Sequence, residues 1–292
     1  MSLKLRLSLA YALFRSLATC APAAPTVWQP AVGAKFDINL LGDVNVATVT
    51  SDIYDFDLFD NTGNTMDASK LDLTKINALH KAGKKVICYF SAGSYENWRP
   101  DAGSFKSGDY GSSVDGWPGE YWLNLRSSNV ATIMRKRIAL AAKAGCDGVD
   151  PDNMDAYEND NGMGMTQQDS INYMRNVLAP AASAAGLAIG LKNGGSIIAS
   201  VIDVVQFEIN EQCSEYSECK NFLPFIKAGK PVFHIEYPGG DDDNPTVLKT
   251  SQLPPYCIRD PAGTDISKFS TALKTINLDA YLQTCDGKVK YS

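Results

Sequence analysis

Asp150, Asp152 and Asp155 crowd the segment GCDGVDPDNMDAY (145–157), with Pro151, Asn153 and Met154 between them. Carboxyl groups this close suit proton transfer, in which one gives a proton and another accepts it or attacks. Mutual repulsion, and burial where it occurs, raises the pKa of one of them towards the range a general acid needs. Cleavage of a glycosidic bond requires such a pair, one carboxyl on either side of the bond. A calcium loop would draw on similar residues, but DPDNMD lacks the glycine and distant glutamate of an EF-hand.

These acids need elements to hold them. The amphipathic segment NVATIMRKRIALAAKAG precedes the short apolar run GVD, so helix, turn and buried strand lead into the acidic loop. In parallel α/β folds, ligands bind at this carboxyl end of the strands. The order repeats along the chain. Candidate strands are KFDINL (35–40), IYDFDL (53–58), KKVICYFSAG (84–93), GVD, LAIGLK (187–192), DVVQFEIN (203–210), KPVFHIEY (230–237) and YCIR (256–259). Helical patterns at 71–83, 129–144, 166–185, 196–202 and 219–228 separate most of them. Eight strands alternating with helices predict an α/β fold, a single (β/α)8 TIM-type barrel over residues 25–292. A doubly wound open sheet is the alternative, but neither GxGxxG nor a Walker sequence marks a nucleotide site.

A barrel would gather the strand ends on one rim. Asp55, Asp57, Ser91, Asp150, Asp152, Lys192, Asn193, Glu208, Glu211, Glu236 and Tyr237 would all stand there. The long stretch 94–126 after the third strand shows no clear periodicity and carries Tyr95, Trp98, Tyr110, Trp117, Tyr121 and Trp122. Aromatic faces stack on sugar rings and attract ammonium groups. About half of these rings are expected to pack the loop in place, with Trp117 in DGWPGEYW facing a ligand.

A net charge of −6 and the lack of any basic stripe argue against nucleic acid or an anionic membrane as partner. Only His80 and His234 are present, far apart, so no catalytic metal site is expected. Residues 1–24 read as a signal peptide: Lys4 and Arg6 precede an apolar run over 7–14, and small residues follow at 21–24. Beyond it, no run is long and apolar enough for a membrane helix. Cys20 would leave with this leader. Cys213 with Cys219, and Cys257 with Cys285, are candidate disulfides of a secreted chain. Cys88 and Cys146, in or beside apolar strands, read as buried free thiols. A monomer is expected.

The motifs VICYFSAGSYENWRP, DGWPGEYWLN, GCDGVDPDNMDAY, GLKNGG, FEINEQCSEYSEC and VFHIEYP, in this order, closely resemble glycoside hydrolase family 114. The likeness spans about Trp28 to Pro238. Members of that family are endo-α-1,4-polygalactosaminidases with a barrel fold, often secreted and working without a cofactor. The resemblance implies a cationic or partly acetylated polymer of α-1,4-linked galactosamine as substrate. It carries the catalytic aspartate onto Asp152 and the glutamate onto Glu211, with Asp152 as nucleophile or base and Glu211 as acid, or the two roles reversed. Asp150 and Glu208 rank second. Tyr89, Asn153, Asp155, Lys192, Asn193 and Glu236 would shape or charge the subsites, with Lys192 paired to an acid that it holds ionised. KFDINL lacks the tryptophan expected in the first strand. A carbohydrate-binding barrel without catalysis, and a barrel glycosidase acting on another α-glycan, are the alternatives.

Overall fold

A computed structural model describes residues 27–240 and 244–292; the leader and Cys20 lie outside them. Eight strands pair in chain order, each parallel to the next: β1 Phe36–Asn39, β2 Ile53–Asp57, β3 Lys85–Ser91, β4 Gly148–Asp152, β5 Ala188–Lys192, β6 Phe207–Glu211, β7 Val232–Glu236 and β8 Ser270–Leu273. Two antiparallel strands, β9 Tyr281–Gln283 and β10 Val289–Tyr291, extend the sheet to ten.

Both faces of this sheet are buried, as parallel strands require. Ile53 and Ile87 belong to the inner core, while Tyr54, Phe56, Cys88 and Phe90, the alternate residues, pack outward against the helices. On the inner side Phe36 of β1 stacks on Phe233 of β7 at 4.6 Å, and Phe207 of β6 lies 5.5 Å from the same ring. The sheet therefore curls until its first strand meets its last ones. At the seam, Leu40 N–H donates to the Leu278 carbonyl at 2.9 Å and Lys274 Nζ lies 3.2 Å from Asp37. No ladder joins β1 to β8 among the described residues. The architecture is thus α/β, a curled parallel-rich sheet of TIM-barrel type.

Two elements differ from the sequence-based expectation. YCIR is not the eighth strand: Pro254–Cys257 is a helical turn in which Cys257 N–H reaches the Leu253 carbonyl. The strand comes from Ser270–Leu273, whose alternation is too short to stand out. The helix expected over 166–185 starts on a capping box between Thr166 and Asp169 but widens into a π turn at Met174–Leu178. Pro180 follows after Ala179 and cannot donate to the carbonyl four residues back, so the ladder loosens ahead of it.

The helix Ser128–Ala144 that leads into β4 is better defined. The Ser127 side chain caps its first turn, and Gly145, at φ 92°, closes it in the left-handed conformation. Cys146 comes next, and here the free-thiol reading fails, because Cys88 and Cys146 form a disulfide. Cys88 points outward from β3, in register with Val149 of β4, and Cys146 lies three residues before that partner. Strand register, which spacing alone does not reveal, creates this bond. The pairs Cys213–Cys219 and Cys257–Cys285 are also bridged, and three disulfides suit an oxidising compartment.

The stretch 94–126 is no loose loop. It contains a three-stranded antiparallel sheet of Ser94–Glu96, Tyr110–Ser113 and Glu120–Leu123. Tyr95, Tyr110 and Tyr121 pack on one another, with Tyr95 and Tyr110 stacked at 4.6 Å, and Trp122 is buried. Two buried arginines fasten this sheet to the barrel. Arg99 binds Asp57 at the end of β2 and Glu96 at 2.7 Å. Arg137 binds Asp101 at 2.8 Å and donates to the Ser91 carbonyl at the end of β3.

Candidate active site

At the carboxyl ends of the strands opens a cleft of about 790 Å³. Lys192, at the end of β5, forms its floor and is 99 % shielded from solvent. Its ammonium lies 3.6 Å from Asp150 Oδ2, 3.6 Å from Asp152 Oδ1 and 3.3 Å from Glu211 Oε2. Burial works against the charge on Lys192, but the three carboxylates outweigh it and raise its pKa well above the ordinary lysine value. One cation thus gathers acids from β4 and β6 around a single point.

Each candidate catalytic carboxylate has further donors. Tyr89 Oη donates to Asp152 Oδ2 at 2.8 Å. Tyr237 Oη donates to Glu211 Oε1, and Asn193 Nδ2 reaches Glu211 Oε2 at 3.4 Å. The two Lys192 contacts of 3.6 and 3.3 Å place Asp152 Oδ1 and Glu211 Oε2 no more than about 7 Å apart, so both acids face one cavity.

The backbone that presents them is unusual. Asn153, Asn193 and Gln212, at φ 62°, 50° and 61°, directly follow Asp152, Lys192 and Glu211. Three non-glycine residues in the left-handed region at three neighbouring strand ends mark a place where geometry is imposed on the chain. The turn after Asp152 also depends on Gly93, where a Cβ would stand 1.7 Å from the Asn153 carbonyl oxygen. Asn153 Nδ2 then donates to Ser91 Oγ at 2.9 Å, tying the β4 turn to β3.

Of the residues expected at the site, Asp152, Glu211, Tyr89, Asn153, Asp155, Lys192, Asn193 and Trp117 line the cleft. Asp150 lies fully buried beneath it. Burial, partly offset by Lys192 and then reinforced by Asp152, pushes its carboxyl up to about 7. Asp155 rises to about 6, through burial and the Asp152 charge.

Glu236 and Glu208 do not line the cleft. Side chains alternate along β7, so Ile235 joins the inner core and Glu236 takes the opposite face. There its Oε1 accepts from Ser214 N–H and His234 Nε2, both at 2.7 Å. Glu208 is fully buried and in register with Leu191 and Val232 of the outer core, while Lys192 is in register with Ile209. Glu120 and Tyr216, which no sequence motif marks as site residues, also line the cleft, and Tyr237, expected on the rim, reaches into it. Strand parity would have exchanged Glu236 for Tyr237. Nothing in the local sequence singles out Glu120.

The elevated carboxyls predict a pH dependence. Asp150, Asp155 and Glu120 have folded pKa values of about 7, 6 and 7, against ordinary values of 3.8 and 4.5. Between these limits the folded protein binds more protons than the unfolded chain, so stability falls as pH rises through the window. Thermal melts should give a higher Tm at pH 5 than at pH 7.5. The opposite order would show these carboxyls to be ionised in the folded protein at pH 5.

A search of curated proteins finds no match. The chain is similar to a solved structure from Aspergillus fumigatus, Ega3 in complex with galactosamine. The two share 47 % identity at a TM-score of 0.79, over 93 % of this chain and 100 % of that one. It also shares its fold with the glycoside hydrolase domain of PelA from Pseudomonas aeruginosa, at 13 % identity and a TM-score of 0.59, over 84 % and 95 % of the two chains. The family model of glycoside-hydrolase family GH114 matches residues 17–290. With that match covering nearly the whole chain, the protein belongs to glycoside-hydrolase family GH114 and is a glycoside hydrolase.

Proposed function

We propose that this protein is a secreted, endo-acting hydrolase of α-1,4-linked galactosamine polymers, with Asp152 and Glu211 as its catalytic pair. The observation that carries this reading is the convergence of the two carboxylates on Lys192 in one open cleft. The galactosamine bound in the 47 % identical structure supports the choice of sugar. An acidic cleft suits a cationic chain, because carboxylates attract ammonium groups and salt weakens that attraction at exposed subsites. We read the curled sheet as a full (β/α)8 barrel, with the aromatic insertion as one wall of the substrate channel.

In this mechanism Asp152 attacks the anomeric carbon as Glu211 gives its proton to the departing glycosidic oxygen. Glu211 then takes a proton from water, which displaces the sugar from Asp152. The bound of about 7 Å between one oxygen of each acid is compatible with the close pair of about 5–5.5 Å that a retaining mechanism needs, and this mechanism predicts a retained anomeric configuration.

The test is incubation of the purified protein with deacetylated and with N-acetylated galactosamine polymer, followed by product sizing and NMR of the new anomeric centre. Oligosaccharides of intermediate length, released with retained configuration from the amine-bearing chain, are expected. Binding without release at any pH would reduce the protein to a sugar-binding barrel. Equal cleavage of a neutral α-glycan would overturn the substrate.

A further inference from the structure

Three buried acids in and around the inserted sheet are paired with arginine. Asp57 and Glu96 bind Arg99, and Asp101 binds Arg137. Glu120 stands directly opposite Glu96 in the antiparallel ladder, an arrangement of like charges that is unfavourable without compensation. Glu96 is compensated by the two arginines beside it. Glu120 is not: it is 92 % shielded from solvent, and among the described residues no cation lies within ion-pair distance of it. Its Oε2 accepts only from Ser94 Oγ, at 2.7 Å, and its side chain lines the cleft.

An unpaired carboxylate is costly to bury; Arg99 acts on Glu120 only from beyond ion-pair distance, so a closely placed countercharge is missing. It can come from a ligand entering the cleft. Three residues earlier Trp117, 59 % exposed, lines the same cleft, and Glu120 N–H donates to the Trp117 carbonyl across the turn. A flat apolar face and a lone anion thus stand side by side, which suits a sugar ring bearing a single positive charge.

We propose that Glu120 determines specificity by binding the free ammonium group of one galactosamine unit, so that the subsite beside Trp117 and Asp152 admits an amine and rejects an N-acetyl group. The inference rests on the galactosamine reading given above and assigns the recognition of deacetylation to one side chain. Burial, with Glu96 and Asp152 near it, pushes the Glu120 carboxyl up to about 7 against the Ser94 hydrogen bond and the more distant Arg99. An arriving ammonium would hold it ionised, so binding is expected to weaken as pH falls below 7. Among the described residues the Glu120 side chain forms no hydrogen bond with Asp152 or Glu211, and it holds the substrate without joining the bond-breaking step.

Glu120→Gln keeps the shape and removes the charge. On deacetylated polymer its KM is expected to rise at least tenfold, with kcat within about threefold of the unaltered enzyme. On partly acetylated polymer, mass spectrometry should find the sugar at one product position changed from galactosamine alone to a mixture with N-acetylgalactosamine. Binding of galactosamine and N-acetylgalactosamine is measured in parallel, so the inference is tested even if the polymer is not cleaved. Loss of galactosamine binding alone supports it, and Glu120→Asp should restore part of that loss. An unchanged KM and unchanged product positions would overturn it. So would a fall in kcat with loss of one limb of the pH profile, which would make Glu120 a proton-transfer group. Failure of the unaltered enzyme to cleave any galactosamine polymer, with galactosamine binding still dependent on Glu120, would strike the substrate reading and leave this subsite standing.

Discussion

Asp152→Asn and Glu211→Gln should each lower kcat by about 10³-fold or more, with circular dichroism and Tm close to those of the unaltered protein. Each replacement keeps the volume of the side chain and an oxygen that can accept from Tyr89 or Tyr237. What it removes is the charge needed for attack or the proton needed by the leaving oxygen. The two acids act on one bond, so the double variant should lose little more than either single one. Azide separates their roles. It should restore turnover in Asp152→Ala with a product of inverted configuration, and in Glu211→Ala with a product of retained configuration. A single variant that keeps a tenth or more of the activity would remove that residue from the pair.

Strand-then-helix order was legible because each buried parallel strand is a short apolar run, and seven of the eight expected strands lie where that pattern put them. The acids Asp152 and Glu211 were legible because both follow directly on such runs. Glu208 and Glu236 follow the same runs, and composition cannot tell them from Glu211. Parity does: Ile209 and Ile235 face inward, so their neighbours Glu208 and Glu236 face the helices.

Other features depend on contacts between distant segments. Cys88 and Cys146 are 58 residues apart and become partners only through the register of β3 with β4. The inserted sheet was unreadable because its strands are three or four residues long, too short for alternation to show. Its position comes from buried arginine–carboxylate pairs that link it to β2 and the helix before β4, and no local pattern encodes them. Glu120 was invisible for the same reason. Its importance lies in having no such arginine.

Lys192→Met should show what holds the acids in working order. Methionine nearly fills the lysine volume but leaves Asp150, Asp152 and Glu211 facing one another around an uncharged side chain. Opposite charges at this range shift a carboxyl by about one to three pH units, so the cluster should take up an additional proton near neutrality. At pH 7 kcat should fall at least about twofold, and the loss should deepen as the pH is lowered, because the nucleophile is then protonated for more of the time. The acid limb of the kcat/KM profile should move up by about one pH unit or more, and activity should partly return at higher pH. Stability should change in the opposite sense: with the cation gone, raising the pH leaves buried carboxylates uncompensated, and the Tm loss should be larger at pH 8 than at pH 5. Lys192→Arg keeps the charge but carries a planar fork into a point-charge site, so it should keep the pH profile and lose kcat. If the Met variant instead kept the pH profile of the unaltered enzyme, Lys192 would serve only to fill space.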